Sequence, residues 1–204
     1  YPLRRQRQMC IRDSTMTHLN ELYLILNKSL KWNKSHLKCF ALIMLVIILK
    51  QTCNLSSASK ALPIKCLPQS FYRRMQRFFA GQYFDYRQIS QLIFNMFSFD
   101  QVQLTLDRTN WKWGKRNINI LMLAIVYRGI AIPILWTLLN KRGNSDTKER
   151  IALIQRFIAI FGKDRIVNVF ADREFIGEQW FTWLIEQDIN FCIRVKKTSL
   201  SPII

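Results

Sequence analysis

Two stretches decide the fold of this chain: LTLDRTNW at residues 104–111 and VNVFADREF at residues 167–175. In each, an apolar run typical of a β-strand leads to an aspartate, Asp107 or Asp172, and an arginine follows at once. Aspartate is common where a strand gives way to a turn, so either residue alone is most simply a turn former. Carboxylates are scarce in this chain, however, and their recurrence in one local setting favours a divalent-metal site that acts on nucleic acid.

The chain is strongly basic. Its 204 residues include 31 Lys and Arg against 13 Asp and Glu, a net charge of +18. Such an excess usually marks a polyanionic partner. The first 100 residues carry 15 basic and 4 acidic side chains, and the remainder 16 and 9. The first half is therefore favoured as the phosphate-binding part and the second half as the home of a carboxylate site. The alternative explanation of the charge is a basic ribosomal or membrane-surface protein.

Long apolar runs raise the question of a membrane protein. The run at residues 39–49 is shorter than the roughly 20 residues that a spanning helix needs. The longer run at residues 118–139 contains Pro133 and the pair Arg128–Gly129, which is typical of a turn between two strands. We therefore expect no transmembrane segment and a cytoplasmic protein.

The chain divides by character into three parts. Residues 1–14 are polar, basic and without period, and we expect them to be non-native or disordered. Residues 15–100 are predicted to form a helical DNA-binding region, and residues 101–204 a partial catalytic domain. Helices are predicted at residues 17–29, 35–50, 54–62, 71–79 and 88–97.

One of these helices is rich in arginine. Arg73, Arg74 and Arg77 recur at helical spacing and are predicted to project together. Several short helices that end in a basic one are compatible with a helix-turn-helix-like module, in which these side chains would mainly neutralise phosphates. The alternative is an ordinary solvated face.

The second half alternates strands and helices in the order β-β-β-α-β-α-β. Three strands joined by short turns, followed by alternating helix and strand, describe an α/β fold with a mixed sheet, in the order of a ribonuclease H-like fold. The predicted strands are residues 102–107, 118–127, 130–139, 166–171 and 189–195, and the predicted helices are residues 148–161 and 178–187.

In this order the fourth strand can return by a right-handed crossover to lie parallel beside the first. Asp107 and Asp172 then emerge at neighbouring strand ends. Two close carboxylates repel each other unless a cation intervenes, and Mg²⁺ or Mn²⁺ suits oxygen ligands. Two such ions can activate the attacking oxygen and stabilise the leaving oxygen in phosphodiester cleavage.

The motifs DRTNWKWG at residues 107–114 and ADREF at residues 171–175 resemble the first and second aspartate motifs of DDE transposases of bacterial insertion sequences, of the insertion-sequence-four type. YRRMQRFF at residues 72–79 resembles the region ahead of their catalytic domain, and the resemblance extends over residues 17–197. It implies a ribonuclease H-like fold, Mg²⁺, and binding of terminal inverted repeats. It also implies strand cleavage and joining without a covalent protein–DNA intermediate, with Asp107 and Asp172 as the first two metal ligands.

The sequence departs from that family in one respect. The third ligand of the family is a glutamate beyond the fifth strand, in the pattern Tyr-x-x-Arg-x-x-x-Glu-x-x-x-x-x-x-Lys, which does not occur here. Glu174, Glu178 and Glu186 cannot be promoted to this role from sequence. We therefore expect a C-terminally truncated transposase with an incomplete catalytic domain and impaired activity, in which residues 198–204 are non-native or out of frame.

Other residues of the second half are candidates for contacts with DNA. Lys112, Lys115 and Arg116 are predicted to hold phosphates next to the metals. Trp111 and Trp113 either stack on bases or are buried in the sheet, which is the commoner role of such residues. Arg108 and Arg173 either contact DNA or neutralise the acidic cluster. We expect double-stranded DNA as partner, a homodimer in the DNA complex, and a bacterial, nucleoid-associated location. The alternative function is a basic DNA-binding protein without catalysis, in which both aspartates only form turns.

Overall fold

A computed structural model describes residues 2–61 and 66–195 of the chain, with side chains from residue 16 onward except that of Trp113. Residues 198–204, which the sequence predicts to be non-native or out of frame, lie outside these residues. The chain divides into two compact units, residues 1–88 and residues 89–204. No helix in the described ranges is both long enough and apolar enough to cross a bilayer.

The first unit is helical, as predicted. Its core is formed mainly by α2 and α4, which bury Cys39, Val46, Phe71, Met75 and Phe78. The side chain of Asn33 caps α2 by accepting a hydrogen bond from the Ser35 amide. The helices are α1 (Pro2–Ser29), α2 (Lys34–Lys50), α3 (Leu55–Ser59) and α4 (Pro68–Gly81), and α5 (Tyr86–Met96) leads into the second unit.

The second unit contains a five-stranded mixed sheet in the order β3-β2-β1-β4-β5. β1, β2 and β3 are antiparallel neighbours, whereas β4 runs parallel to β1 and β5 parallel to β4. The predicted ribonuclease H-like mixed sheet is therefore confirmed. Its elements are β1 (Val102–Trp113), β2 (Arg116–Tyr127), β3 (Ile130–Leu139), α6 (Thr147–Phe161), β4 (Ile166–Ala171), α7 (Glu178–Glu186) and β5 (Phe191–Ile193).

The main core of this unit lies between one face of the sheet and the helices. Leu104 and Leu106 of β1 are fully buried there, together with Phe157 of α6 and Trp180 of α7. The ring of Phe94 on α5 stacks on Phe161, with 4.4 Å between ring centroids. Burial of such side chains contributes roughly 1.5–3 kcal/mol each, so the face that carries Leu104 and Leu106 is strongly specified as the inner one.

An irregularity in β3 attaches α5 to the sheet. Leu123 of β2 pairs with Leu135, but the next residue, Ala124, pairs with Pro133, so Ile134 is left out of the ladder. The side chain of Ile134 is fully buried, and its carbonyl accepts a 2.7 Å hydrogen bond from Ser90 Oγ. Proline lacks the backbone N–H that a ladder needs and is therefore found at sheet edges and bulges. Pro133 meets both conditions, because β3 is the outermost strand and the bulge at Ile134 follows directly.

Helix α6 begins with a reciprocal cap. Asp146 accepts a hydrogen bond from the Glu149 amide, and Glu149 accepts one from the Asp146 amide. Lys141 binds both carboxylates, at 3.0 and 2.8 Å. The Glu149 amide, followed by the Lys141 ammonium, holds the pKa of Asp146 below its usual value.

We predict that Asp146→Ala lowers the free energy of unfolding by about 1 kcal/mol at pH 7, because it removes the cap. A carboxyl group whose pKa is depressed by folding stabilises the folded state above its ordinary pKa. That contribution is lost as the pH falls through the folded value. The difference between wild type and variant, measured by denaturant unfolding, should therefore shrink below about pH 4. Glu186→Ala, at an exposed site on α7, should stay within about 0.5 kcal/mol of wild type; a gap constant down to low pH would contradict the assignment.

Candidate functional site

The two predicted aspartates lie at adjacent positions of neighbouring parallel strands. Leu106 of β1 pairs with Ala171 of β4. Asp107 is the next residue within β1, whereas Asp172 directly follows the last residue of β4. The prediction that both aspartates lie at strand ends is therefore wrong for Asp107. The backbone at Asp172 is still extended, with φ −80° and ψ 171°. Adjacent strands in a sheet are about 4.8 Å apart, so the two carboxylates belong to one local site.

Both aspartates lie on the outer face of the sheet. Because side chains alternate along a strand, Asp107 is on the face opposite to that of the buried Leu104 and Leu106. The same alternation applies to Asp172, which follows Ala171, a residue packed against the main core. Both aspartates are exposed. Solvent, nucleic acid and ions can therefore reach them.

The two carboxylates have matching environments. Oδ1 of Asp107 accepts a 2.7 Å hydrogen bond from the Arg108 amide, and Oδ1 of Asp172 accepts one of the same length from the Arg173 amide. Within the described ranges, no side chain or backbone group binds either Oδ2. Each aspartate thus has an oxygen without a hydrogen bond, and oxygen donors fit Mg²⁺ or Mn²⁺. Residues 16–61 and 66–195 contain no cluster of three or more acidic, His or Cys side chains able to hold a metal.

An ion pair joins the two aspartate motifs. Arg108 points to the inner face and binds Glu174 through two hydrogen bonds, from Nε at 3.2 Å and Nη2 at 3.0 Å. Its guanidinium also donates to the side-chain oxygens of Asn119 and Asn144. The side chain of Arg108 is only 10% exposed and that of Glu174 is 26% exposed, so solvent screens this pair less than a surface one.

The sequence assigns no role to Glu174. The strand ends at Ala171, and Arg173–Phe175 forms a 3₁₀ turn that brings Glu174 to Arg108. Sequence also left open whether Arg108 contacts DNA or neutralises acidic groups. Its guanidinium is committed to Glu174 and the two asparagines. The recurring Asp-Arg pair was the available signal, but nothing in it indicated which carboxylate Arg108 would meet.

A second arginine, Arg150 of α6, binds the same turn. Arg150 of α6 is 5% exposed and donates to the Glu174 carbonyl at 3.1 Å and to the Ser145 carbonyl at 2.7 Å. Its guanidinium lies over the ring of Phe175, 5.1 Å from the centroid. Burial lowers the pKa of Arg150 from its usual value, and the nearby Glu174 carboxylate partly opposes that shift. The turn after Asp172 is therefore held at three groups. Arg108 binds the Glu174 carboxylate, and Arg150 contacts the Glu174 carbonyl and the Phe175 ring.

We predict that Arg108→Ala lowers the free energy of unfolding by about 2 kcal/mol or more, because it leaves the partly buried Glu174 carboxylate without its partner. Arg108→Ala combined with Glu174→Ala should cost less than the sum of the two single changes. Denaturant unfolding of the four proteins measures this coupling. As a control, Asp100→Asn disrupts the exposed Arg165–Asp100 pair of the same unit and should cost less than about 1 kcal/mol. Additive effects of the two alanine changes would contradict the coupling.

The three predicted DNA-binding arginines of α4 differ in their environments. Arg73 and Arg77 are exposed and lie one turn apart on the helix. Arg74 instead faces α2, on the side of the buried Phe71, Met75 and Phe78, and donates to the Ser35 carbonyl at 3.3 Å. The three side chains therefore do not project together.

The other predicted DNA-binding residues lie where β1 and β2 meet. Lys112 is on β1, Arg116 is on β2, and Lys115 lies in the two-residue turn between them. All three side chains are exposed. They belong to the same pair of strands as Asp107, at its far end.

The sequence model of the transposase DDE domain matches residues 98–200, just over half of the chain. The chain belongs to this DDE transposase family. The match takes in the five strands, both aspartates and the Arg108–Glu174 pair of the transposase domain. A search of curated proteins gave no match.

Two solved structures illustrate what the transposase domain is similar to. One is the HTLV-2 integrase catalytic core domain in complex with magnesium, with 16% identity and a TM-score of 0.37, over 49% of this chain and 64% of that one. The other is the simian T-cell lymphotropic virus intasome in complex with PP2A regulatory subunit B56 gamma, with 13% identity and a TM-score of 0.37, over 47% and 32%. The matched part spans less than two thirds of each of these chains.

Proposed function

We propose that this protein is a metal-dependent DNA transposase that cleaves and joins DNA strands at the ends of an insertion sequence of the insertion-sequence-four type. The observation that supports this most directly is the placement of Asp107 and Asp172 at adjacent positions of parallel strands, in a chain of the DDE transposase family. Both carboxylates are exposed, and each keeps one oxygen unbound within the described ranges.

Asp107 and Asp172 would hold the cation through their carboxylates, each of which accepts one hydrogen bond from a backbone amide at Oδ1. When bound, Mg²⁺ or Mn²⁺ supplies charge stabilisation for the attacking and leaving oxygens of the phosphodiester. The pairing of β1 with β4 sets the spacing of the carboxylates, and Arg108 with Glu174 keeps the turn after Asp172 in place. Glu174 acts through Arg108 and is therefore a positioning residue.

The substrate we propose is double-stranded DNA that carries terminal inverted repeats. The charge of +18 favours a polyanion. Arg73 and Arg77 on α4, with Lys112, Lys115 and Arg116, would neutralise phosphates. A homodimer would hold the two DNA ends in a bacterial cytoplasm, at the nucleoid. Because no third acidic side chain joins the pair within the described ranges, we expect this chain by itself to cleave weakly.

The second candidate is a basic DNA-binding protein without catalysis. It is favoured by one observation at Asp172, which begins the 3₁₀ turn Arg173–Phe175 and accepts a hydrogen bond from the Arg173 amide. Asp107 lies within β1 and forms no turn. Metal binding separates the two functions, since a turn former needs no cation.

We predict that Mn²⁺ raises the thermal midpoint of the wild-type chain, with stabilisation of about 2.7 kcal/mol at a free concentration 100 times the dissociation constant. Asp107→Asn combined with Asp172→Asn should abolish the effect, because amides lack the charge that binds the ion. Asp164→Asn, at an exposed aspartate of another turn, should retain it. The same proteins are assayed for nicking of supercoiled plasmid. A folded wild type with no response to Mn²⁺ that still binds DNA would favour the second candidate.

We predict that Arg73→Gln and Arg77→Gln each reduce the slope of log affinity against log salt for duplex DNA by about 0.9, the loss expected for one phosphate contact. Arg74→Gln should leave that slope unchanged and lower stability instead, since it removes the bond to the Ser35 carbonyl. Fluorescence anisotropy at several salt concentrations measures the slopes. Equal slopes for the Arg73 variant and wild type would remove α4 from the DNA interface.

A further inference from the structure

β1 and β2 continue past the rest of the sheet as a two-stranded ribbon, residues 111–118. β4 pairs with β1 only as far as Leu106, and β3 pairs with β2 only as far as Asn119. Within the described ranges, the ribbon therefore has no neighbouring strand on either side. Gly114 closes it with φ 58°, a left-handed conformation that glycine adopts without strain.

The ribbon exposes a tryptophan. Trp111 pairs with Ile118, and 61% of its surface is accessible, so the sequence alternative of a tryptophan buried in the sheet is wrong. Trp111 lies on the same face of β1 as Asp107, because the two are four residues apart. At about 3.4 Å per residue, the two positions are about 14 Å apart along the strand.

The charges on the ribbon have one sign. Lys112, Lys115 and Arg116 are exposed, and no acidic residue occurs from position 108 to position 118. Arg116 lies on the same face as Trp111, because it is two residues from Ile118, the partner of Trp111 in the ladder. An exposed aromatic ring among cations is the combination by which proteins hold unpaired nucleotides, with stacking on the base and charge on the phosphates.

We propose that the ribbon binds the DNA strand beside the cleaved bond, with Trp111 stacked on an unpaired base and the three cations on its phosphates. This inference rests on the proposed function, because it takes DNA as the substrate of the site at Asp107. A base inside a duplex has both faces covered by its neighbours, so the stacked base is one freed from the helix. The ribbon as a whole is narrow enough to lie in the major groove of the adjoining duplex.

The test compares two labelled DNAs of mixed sequence, a blunt duplex and the same duplex with a single-stranded overhang, by fluorescence anisotropy on the full chain. Trp111→Ala should weaken binding to the overhang DNA by about tenfold, the effect expected for one stacked base. Its effect on the blunt duplex should stay within about twofold. Trp111→Phe should recover most of the loss, because phenylalanine keeps an aromatic face.

Two control variants separate stacking and charge from general surface effects. Ile185→Ala removes an apolar side chain of α7 that is 67% exposed and should leave both affinities within about twofold of wild type. Lys112→Gln combined with Lys115→Gln should weaken both DNAs and reduce the salt slope by about 1.8, whereas Lys163→Gln should change it little.

The proposal would be overturned if Trp111→Ala bound both DNAs as tightly as wild type does. It would also be overturned if Trp111→Ala weakened binding to both DNAs by the same factor. Conversion of a dimer to a monomer by Trp111→Ala, seen by sedimentation with DNA binding intact, would show that a second copy occupies the ribbon and would also overturn it. The Mn²⁺ response keeps this outcome separate from the proposed function. An intact Mn²⁺ response with no effect of Trp111→Ala rejects the ribbon alone, and an effect of Trp111→Ala without any Mn²⁺ response rejects the metal site alone.

Discussion

The parallel pairing of β1 with β4 is the constraint on which the candidate site depends. Two antiparallel strands and a helix separate these strands in sequence, and only the crossover brings Leu106 beside Ala171. Inner-face burial of Leu104, Leu106 and Val169 fixes that register, because a slip of one residue would turn them to solvent. The same alternation that buries the leucines exposes Asp107, so the packing that forms the core also positions the Asp107 carboxylate.

Charge is distributed unevenly between the two faces of this sheet end. The outer face exposes two carboxylates, whereas on the inner face Arg108 and Arg150 both bind the turn that carries Glu174. Burying these arginines costs desolvation energy, which is offset only where geometry is good and the remaining donors are satisfied. Arg108 meets this condition with three partners, since its guanidinium binds Glu174, Asn119 and Asn144. The arrangement supports a well-defined position for the backbone after Asp172.

Sequence predicted much of this fold because its signals were local. Strong apolar runs predicted both ends of β3 and of β4 to the residue, and turn signals such as Arg128–Gly129 predicted the connections. The sequence predicts β1 only as far as Asp107, whereas the strand continues to Trp113, because the charged and amide residues at 108–117 interrupt the apolar pattern. The alternation of Thr109 and Trp111 with polar residues, followed by Gly114, was the hairpin signal available. The pairing of Arg108 with Glu174 could not be predicted, since it depends on where β4 ends and how the turn curls back.

The bulge at Ile134 has a consequence for how the length of this chain can vary. Removing one residue from a regular strand turns every later side chain to the opposite face. Removing Ile134 would leave the later side chains on their faces, because Pro133 and Leu135 already pair with consecutive residues of β2. Deleting Ile134 would leave a regular ladder with both faces preserved, at the cost of one buried isoleucine and of the acceptor for Ser90. The bulge is thus a position in the sheet where one residue can be removed without a change of topology.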